Sequence, residues 1–160
     1  MPRLRLFYET ELRAIALPYG VVWTTDDVLG AAVWAPPQHW RIPVRATIRE
    51  VPPMARVFGR RLALAFRTRL RVEGRHPRRP AHWYLAIMGV EPDWQGRGFG
   101  SKLMQPALEI LDAQGTPAYL EASTLRSRAL YERHGFAVTG EFNLPSDGPP
   151  LWQMWREPNP

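Results

Sequence analysis

Residues 94–103 read WQGRGFGSKL. Glycines alternate here with single larger residues, in the order Gly96, Arg97, Gly98, Phe99 and Gly100. The stretch follows the apolar run 83–90 and precedes a segment whose apolar residues recur at helical spacing. A strand that enters a glycine-rich turn and then a helix aims several backbone N–H groups at one spot, which favours a phosphate or pyrophosphate group. The stretch therefore predicts an anion-binding turn.

Two familiar phosphate-binding turns do not match this stretch. The dinucleotide fingerprint needs a glycine at its sixth position, where Ser101 stands when the count starts at Gly96. The nucleoside-triphosphate loop needs Gly-Lys-Ser/Thr, whereas the order here is Gly100, Ser101, Lys102. The pattern that remains is Gln95-x-x-Gly98-x-Gly100 after a long strand. By itself this pattern is also compatible with a tight strand-to-helix turn that binds nothing.

The periodicity of the rest of the chain predicts a mixed α/β fold with one parallel crossover at its centre. We expect a single domain over residues 1–160, because this length suits one compact core. The predicted helices are 3–17, 44–73 with an interruption at Pro52 and Pro53, 100–114 and 125–134. The predicted strands are a hairpin of 20–23 and 30–34, a central strand 82–90 buried on both faces, 117–122, 136–142 and 151–155.

Composition narrows the possible functions. The chain has no cysteine, which excludes disulfides, thiolate metal sites and cysteine nucleophiles and favours a cytoplasmic protein. The four histidines are scattered in sequence, so we expect no metal site. The net charge of +6 comes almost entirely from arginine, and we interpret the arginine clusters as solvated surface, with nucleic-acid binding unlikely. No signal peptide or membrane-spanning run is visible.

A second motif lies downstream of the turn. Residues 130–136, Leu-Tyr-Glu-Arg-His-Gly-Phe, combine a tyrosine-bearing helix with a Gly-Phe stop. Gly135 can take the left-handed conformation at the helix end, and Phe136 can pack back on the last turn. Together with Gln95-x-x-Gly98-x-Gly100 at this distance, the segment resembles the GNAT superfamily of acetyl-coenzyme A dependent N-acetyltransferases. The resemblance implies a central mixed sheet with splayed parallel strands, flanked by helices.

The resemblance extends from about residue 10 to the C-terminus. The phrases 22–27, 31–34, 82–85, 89–92 and 117–123 are similar to the branch that contains puromycin N-acetyltransferase. Relatives carry a further strand and helix before the first helix of this chain, so we expect the chain to lack both and part of the acceptor wall with them. The family often has asparagine seven or four residues before the tyrosine, where Thr124 and Ser127 stand here.

The resemblance also implies a binding site for acetyl-coenzyme A, with no metal. Backbone groups of Met88, Gly89 and Val90 would pair with the pantetheine arm and the acetyl carbonyl. The remaining residues predicted to bind the cofactor are Gln95, Gly96, Arg97, Gly98, Phe99, Gly100, Ser101 and Thr124.

Two side chains are candidates for catalysis. A tyrosine hydroxyl can protonate a departing thiolate without itself being ionised at neutral pH, and Tyr131 is the candidate acid. Glu121, at the end of a strand, is the candidate base for an ammonium acceptor. The alternatives are a core-edge aromatic for Tyr131 and a solvated or structural carboxylate for Glu121.

The leading functional hypothesis is acetyl transfer to a primary amine of a small molecule, in a direct ternary-complex mechanism. Transfer to an aminoacylated or peptide substrate, or a shortened coenzyme A binding module without turnover, remain alternatives. Bare sheet edges raise the possibility of a homodimer.

Overall fold

In the part of the chain that the computed structural model describes, residues 2–16, 20–41 and 43–159, six strands form one sheet. The helices and strands follow one another in the order α1 (Pro2–Glu11), β1 (Val21–Thr24), β2 (Gly30–Ala35), α2 (Val44–Phe58), α3 (Leu62–Arg75), β3 (Trp83–Val90), α4 (Phe99–Ala113), β4 (Ala118–Ala122), α5 (Leu125–Arg133), β5 (Ala137–Asn143) and β6 (Pro150–Arg156). A π-helical turn, Leu12–Ala16, extends α1, and the end of the predicted helix 3–17 lies outside the described residues.

The sheet is mixed, in the strand order β1-β2-β3-β4-β6-β5. β3 and β4 are parallel and are joined through α4, which confirms the predicted crossover. Their pairing is confined to two steps, Trp83 with Ala118 and Tyr84 with Tyr119. β2 stays paired with β3 as far as Val90, so β3 and β4 separate beyond Tyr84. The predicted splayed pair of strands is therefore present.

The core lies between the sheet and helices α4 and α5. One side of α4 is buried, at the five positions that the three- and four-residue spacing predicts: Leu103, Met104, Ala107, Leu108 and Leu111. They pack with apolar side chains of β2 and β4, including Trp34 and Leu120. Pro106 lies within α4 without ending it, as predicted. Burial of this apolar stripe against the sheet is the main stabilising contribution to the helix.

The interruption predicted at Pro52 and Pro53 is wrong in its position. Helix α2 continues through both prolines and ends at Phe58, before Gly59 takes a positive φ of 53°. A short 3₁₀ turn, Gly59–Arg61, then leads into α3. α2 packs against α1, and this tertiary packing outweighs the two backbone donors that the prolines lack.

The central strand β3 is less buried than predicted. Only Leu85 is fully buried along β3, whereas Ala32 to Ala35 of its neighbour β2 are all buried. The π-helical turn after α1 and helix α4 both pack against β2. One side of β3 instead opens into a cavity, which lowers its burial.

No helix among residues 2–16, 20–41 and 43–159 is long and apolar enough to cross a membrane.

Candidate functional site

The glycine-rich turn places exposed backbone at the N-terminus of a long helix. Gly96 and Gly98 have positive φ values of 81° and 84°. Residues with a Cβ lose free energy of folding in this backbone conformation, whereas glycine adopts it readily. Gly98 is the residue that precedes α4, and its carbonyl accepts the N–H of Lys102 at 3.1 Å. The first N–H groups of α4 have no partner within the helix. These amides, together with the positive end of a 15-residue helix, favour an anion at the turn.

Side-chain contacts hold the turn against β3 and α5. Gln95 donates from Nε2 to the carbonyl of Val90 at 3.0 Å and accepts a hydrogen bond from Arg126 Nη1 at 3.1 Å. A Cβ at Gly96 would lie 3.3 Å from Arg126 Nη2. Arg126 is thus a cation beside the turn, and this position was not predicted from the sequence. Its only sequence signal is its place in the first turn of the tyrosine-bearing helix.

Three residues predicted to bind the cofactor also have structural contacts. Ser101 Oγ lies 2.9 Å from His134 Nε2. A Cβ at Gly100 would lie 2.8 Å from Leu130 Cδ2, so this glycine lets α4 approach α5 closely. Thr124 caps α5 and accepts the Ser127 N–H at 3.0 Å. Their predicted role at the cofactor stays a prediction.

The gap between β3 and β4 exposes backbone groups of β3. Glu91 N–H donates to Leu29 O at 2.8 Å and therefore faces β2. Backbone groups of successive residues in an antiparallel strand point to opposite edges, so those of Met88 and Val90 point towards the gap and those of Gly89 towards β2. The sequence prediction for Met88 and Val90 is compatible with this geometry, whereas the Gly89 backbone is engaged in the sheet.

A cavity of about 720 Å³ opens beside the gap, between the sheet and helices α1, α2 and α3. Met88, Glu121 and Tyr131, which were predicted from three separate segments, all line it. Most of the other lining residues are apolar or aromatic, among them Phe7, Tyr8, Trp40, Phe58, Phe66 and Leu85. A mostly apolar cavity with a few polar groups is typical of a small-molecule site.

Glu121 is a buried carboxylate, with a side chain that is 6% exposed. Its Oε2 accepts a hydrogen bond from the Tyr84 hydroxyl at 2.8 Å, and its Oε1 has no hydrogen-bond partner among the residues that the structure describes. Burial penalises the charged form and raises the pKa of Glu121 to about 7, although the hydroxyls of Tyr84 and Tyr119 partly oppose this rise. A carboxylate with this pKa can accept a proton at neutral pH.

Tyr131 lies on α5 and is 7% exposed. Burial raises the pKa of its hydroxyl to about 12, so the group is protonated at neutral pH. The helix ends as predicted: Gly135 takes a positive φ of 85°, and the Phe136 ring packs edge-on against Tyr131 at 6.1 Å. Tyr131 therefore packs against the helix stop while it lines the cavity.

The expectation that the histidines are scattered is wrong for His76 and His82. His76 follows α3 and His82 precedes β3, and their Nε2 atoms lie 3.0 Å apart in the interior. His76 Nδ1 also lies 4.0 Å from Glu121 Oε1. Sequence spacing does not reveal this pair, because the loop that joins α3 to β3 brings it together. Among the described residues, no group of three or more histidine, aspartate or glutamate side chains is placed to hold a metal ion.

One arginine of the predicted solvated clusters is partly buried and paired with carboxylates. Arg69 of α3 has a side chain that is 21% exposed, and it contacts Glu50 of α2 at 2.7 Å and Glu73 at 2.9 Å. A second carboxylate in the cavity, Glu11, has a pKa raised to about 7 by burial, with Arg69 opposing the rise. The cavity is therefore richer in carboxylates than the overall positive charge of the chain suggests.

Two curated relatives are similar to part of this chain. An uncharacterized N-acetyltransferase of Schizosaccharomyces pombe is 42% identical over 78 residues, which make up 48% of this chain and 32% of that protein. A mycothiol acetyltransferase of Beutenbergia cavernae is 42% identical over 67 residues, or 38% of this chain and 23% of that protein. The chain thus spans about a third or less of the length of these curated relatives.

The fold also matches solved structures. A Corynebacterium glutamicum structure, described as histone acetyltransferase HPA2 and related acetyltransferase, has a TM-score of 0.68 at 23% identity. The match covers 99% of this chain and 76% of that chain, and at this identity it supports the fold alone. The model of the acetyltransferase (GNAT) family matches residues 6–136, from α1 to the Gly-Phe stop after α5. Because the family model matches most of the chain, and because the glycine-rich turn and the splayed strands are present, the chain belongs to the acetyltransferase (GNAT) family, whose members are acyl-transferring enzymes.

Proposed function

We propose that the protein is an acetyl-coenzyme A dependent N-acetyltransferase that acts on a primary amine of a small molecule. The observation that carries the proposal is that the candidate acid Tyr131, the candidate base Glu121 and the β3 residue Met88 line one cavity. These three groups are what direct acetyl transfer needs: a proton donor, a proton acceptor and a strand that positions the acetyl donor.

The residues around the gap fit the cofactor. Exposed amides at the start of α4, with the cation Arg126 beside them, suit a diphosphate. On the edge of β3 that faces the gap, the Met88 backbone and the Val90 N–H have no strand partner among the described residues, whereas the Val90 carbonyl accepts the Gln95 side chain. These free groups suit the amides of a pantetheine arm, which needs backbone donors and acceptors. When bound, acetyl-coenzyme A supplies an acetyl thioester as the group to be transferred.

The residues of the chain divide the proton transfers between them. Glu121 accepts a proton from the ammonium form of the acceptor, which leaves a nitrogen lone pair for attack on the acetyl carbonyl carbon. The Val90 N–H stabilises the negative charge that develops on the carbonyl oxygen. As the carbon–sulfur bond breaks, the Tyr131 hydroxyl gives its proton to sulfur. The nitrogen loses a second proton to solvent as the amide forms, Glu121 releases its proton to solvent, and Tyr131 is reprotonated from solvent. The products are an amide, a thiol and one proton.

The cavity supports a small acceptor. Its volume of about 720 Å³ lies in the range of small-molecule sites, and its aromatic walls suit an acceptor with an apolar body. The carboxylates Glu121 and Glu11 suit a positively charged nitrogen. The resemblance to the puromycin N-acetyltransferase branch, and the name of the mycothiol acetyltransferase relative, favour a small molecule over a peptide.

Two measurements test the proposal. Thermal melting with acetyl-coenzyme A tests the cofactor, because a ligand at 100 times its Kd stabilises the fold by about 2.7 kcal/mol. A thiol-release screen over primary amines then tests turnover, with Tyr131→Phe expected to lower kcat by about 100-fold or more. Glu109→Gln, on the exposed side of α4, is the matched control. Equal thiol release by wild type and Tyr131→Phe would show that Tyr131 is not the acid, and stabilisation without turnover of any amine would favour a binding module.

A further inference from the structure

One oxygen in the cavity wall lacks a partner. Glu121 Oε2 accepts the Tyr84 hydroxyl, but Oε1 is buried and makes no hydrogen bond within the described residues. A buried acceptor without a donor costs about 1–3 kcal/mol, so natural proteins rarely keep one without a reason. Glu121 Oε1 is therefore available to accept a hydrogen bond from a group bound in the cavity.

A chain of hydrogen bonds determines the proton positions on the neighbouring His76. His82 Nδ1 lies 2.8 Å from the carbonyl oxygen of Pro80, which can only accept, so His82 carries its proton on Nδ1. In neutral His82, Nε2 is then an acceptor. His76 Nε2, 3.0 Å away, must donate to it. This leaves the Nδ1 atom of a neutral His76 without a proton.

Both histidines are held neutral by their surroundings. Burial lowers the pKa of His76 to about 3, with further lowering by His82 and by Arg41. Burial also lowers the pKa of His82. The Trp40 ring stacks on His76 at 3.7 Å and keeps the imidazole in this orientation. The His76 Nδ1 lone pair is therefore a fixed acceptor at the cavity wall.

The two acceptors lie 4.0 Å apart, which is too far for a direct hydrogen bond even if one of them carried a proton. If one nitrogen donates to both acceptors at about 2.8 Å, the acceptor–nitrogen–acceptor angle is about 90°. This angle is close to that between two N–H bonds of an ammonium group. We propose that Glu121 Oε1 and His76 Nδ1 form a paired receptor for the primary ammonium group of the acceptor, with His82 as a positioning residue. Only the naming of this ligand as the acceptor rests on the proposed function.

Glu121 Oε1 and His76 Nδ1 have different roles in the receptor. Glu121 takes one ammonium proton: an N–H bond breaks, an O–H bond forms at Oε1, and the electron pair stays on nitrogen. His76 does not take a proton and continues to accept a hydrogen bond from a second N–H, which orients the nitrogen lone pair. A quaternary ammonium has no N–H to donate and does not fit the receptor. The titratable groups that face the pair are Tyr84 of β3, Tyr119 of β4 and His82, with Arg41 acting on His76 and Glu11 of α1 acting on Tyr84.

The first test needs no activity and no variant. Nitrogen-15 NMR of the histidine rings at pH 7 should find His76 neutral and protonated on Nε2. n-Butylammonium should shift the Nδ1 resonance of His76, whereas tetramethylammonium should not. A proton on His76 Nδ1, or equal responses to the two cations, would overturn the receptor. Because this readout is independent of turnover, it stands even if the proposed acetyl transfer fails.

The second test uses catalysis. His76→Leu should raise the KM for the amine about 10-fold, the equivalent of one hydrogen bond to an ammonium, and leave the KM for acetyl-coenzyme A unchanged. His82→Leu frees the His76 tautomer and should raise the amine KM in the same direction, by less. His39→Leu, at an exposed position, is the matched control and should change neither constant. An unchanged amine KM in folded His76→Leu would refute the role of His76.

Discussion

Glu121→Gln should make the protein more stable at alkaline pH, because it removes a carboxylate that is costly to ionise in the interior. The pKa of Glu121 is about 7 in the folded chain and close to its ordinary value of 4.5 in the unfolded chain. Between these two values the folded state binds more protons, so the free energy of unfolding falls as pH rises. The glutamate therefore stabilises the wild type least above pH 7.

The size of the effect follows from the two pKa values. Each pKa unit corresponds to about 1.4 kcal/mol, so full ionisation of buried Glu121 costs about 3 kcal/mol relative to the neutral form. Glutamine does not titrate and can still accept the Tyr84 hydrogen bond. The difference in unfolding free energy, Glu121→Gln minus wild type, should increase by about 2–3 kcal/mol between pH 5 and pH 8. Glu11, His76 and His82 titrate in both proteins, so their contributions largely cancel.

Urea denaturation of the two proteins at pH 5 and pH 8 measures this difference. Exposed Glu109→Gln serves as the control and should show a difference that changes by less than about 0.5 kcal/mol. If the difference in unfolding free energy between Glu121→Gln and wild type is the same at pH 5 and pH 8, the pKa of Glu121 is not raised by burial and the reasoning is refuted. If the wild type turns over an amine, its kcat/KM should rise with pH through the same value of about 7, and Glu121→Gln should lose this step.

Three further variants test the turn and the core. Arg126→Ala should weaken acetyl-coenzyme A binding by about 3- to 10-fold in calorimetry, more at low salt, whereas Arg128→Ala on the same helix should not. Gly98→Ala should lower the unfolding free energy measured in urea by about 1 kcal/mol, because alanine is strained at a φ of 84°. Apart from its chain neighbours, no atom of the described residues lies within 4 Å of the added Cβ, so a steric clash does not contribute. Asp112→Ala should lower the unfolding free energy by about 2–4 kcal/mol. Arg156 donates to both carboxylate oxygens of Asp112, and the Arg156 side chain, which is only 8% exposed, would keep its charge without this partner. A loss below about 0.5 kcal/mol would show that this ion pair contributes little.

Local patterns in the sequence were sufficient for most of the secondary structure. The apolar spacing of 103–111 predicts the buried side of α4, and Gly135-Phe136 predicts the end of α5, because both depend on residues within a few positions of one another. The break between α2 and α3 could not be placed from the sequence. Two adjacent prolines are a strong local signal, yet packing of α2 on α1 retains the helix until Gly59.

The candidate site divides in the same way. The sequence by itself determined the glycine-rich turn, because its glycines lie within a few consecutive residues. The candidate pair Tyr131 and Glu121 was predicted from the resemblance to the family. Only the tertiary structure decided what surrounds Glu121: the Tyr84 hydroxyl, the His76 Nδ1 atom and a mostly apolar cavity. These groups come from separate elements that meet where β3 and β4 separate. Burial there, which no single segment encodes, is what raises the pKa of Glu121 into the range of a base.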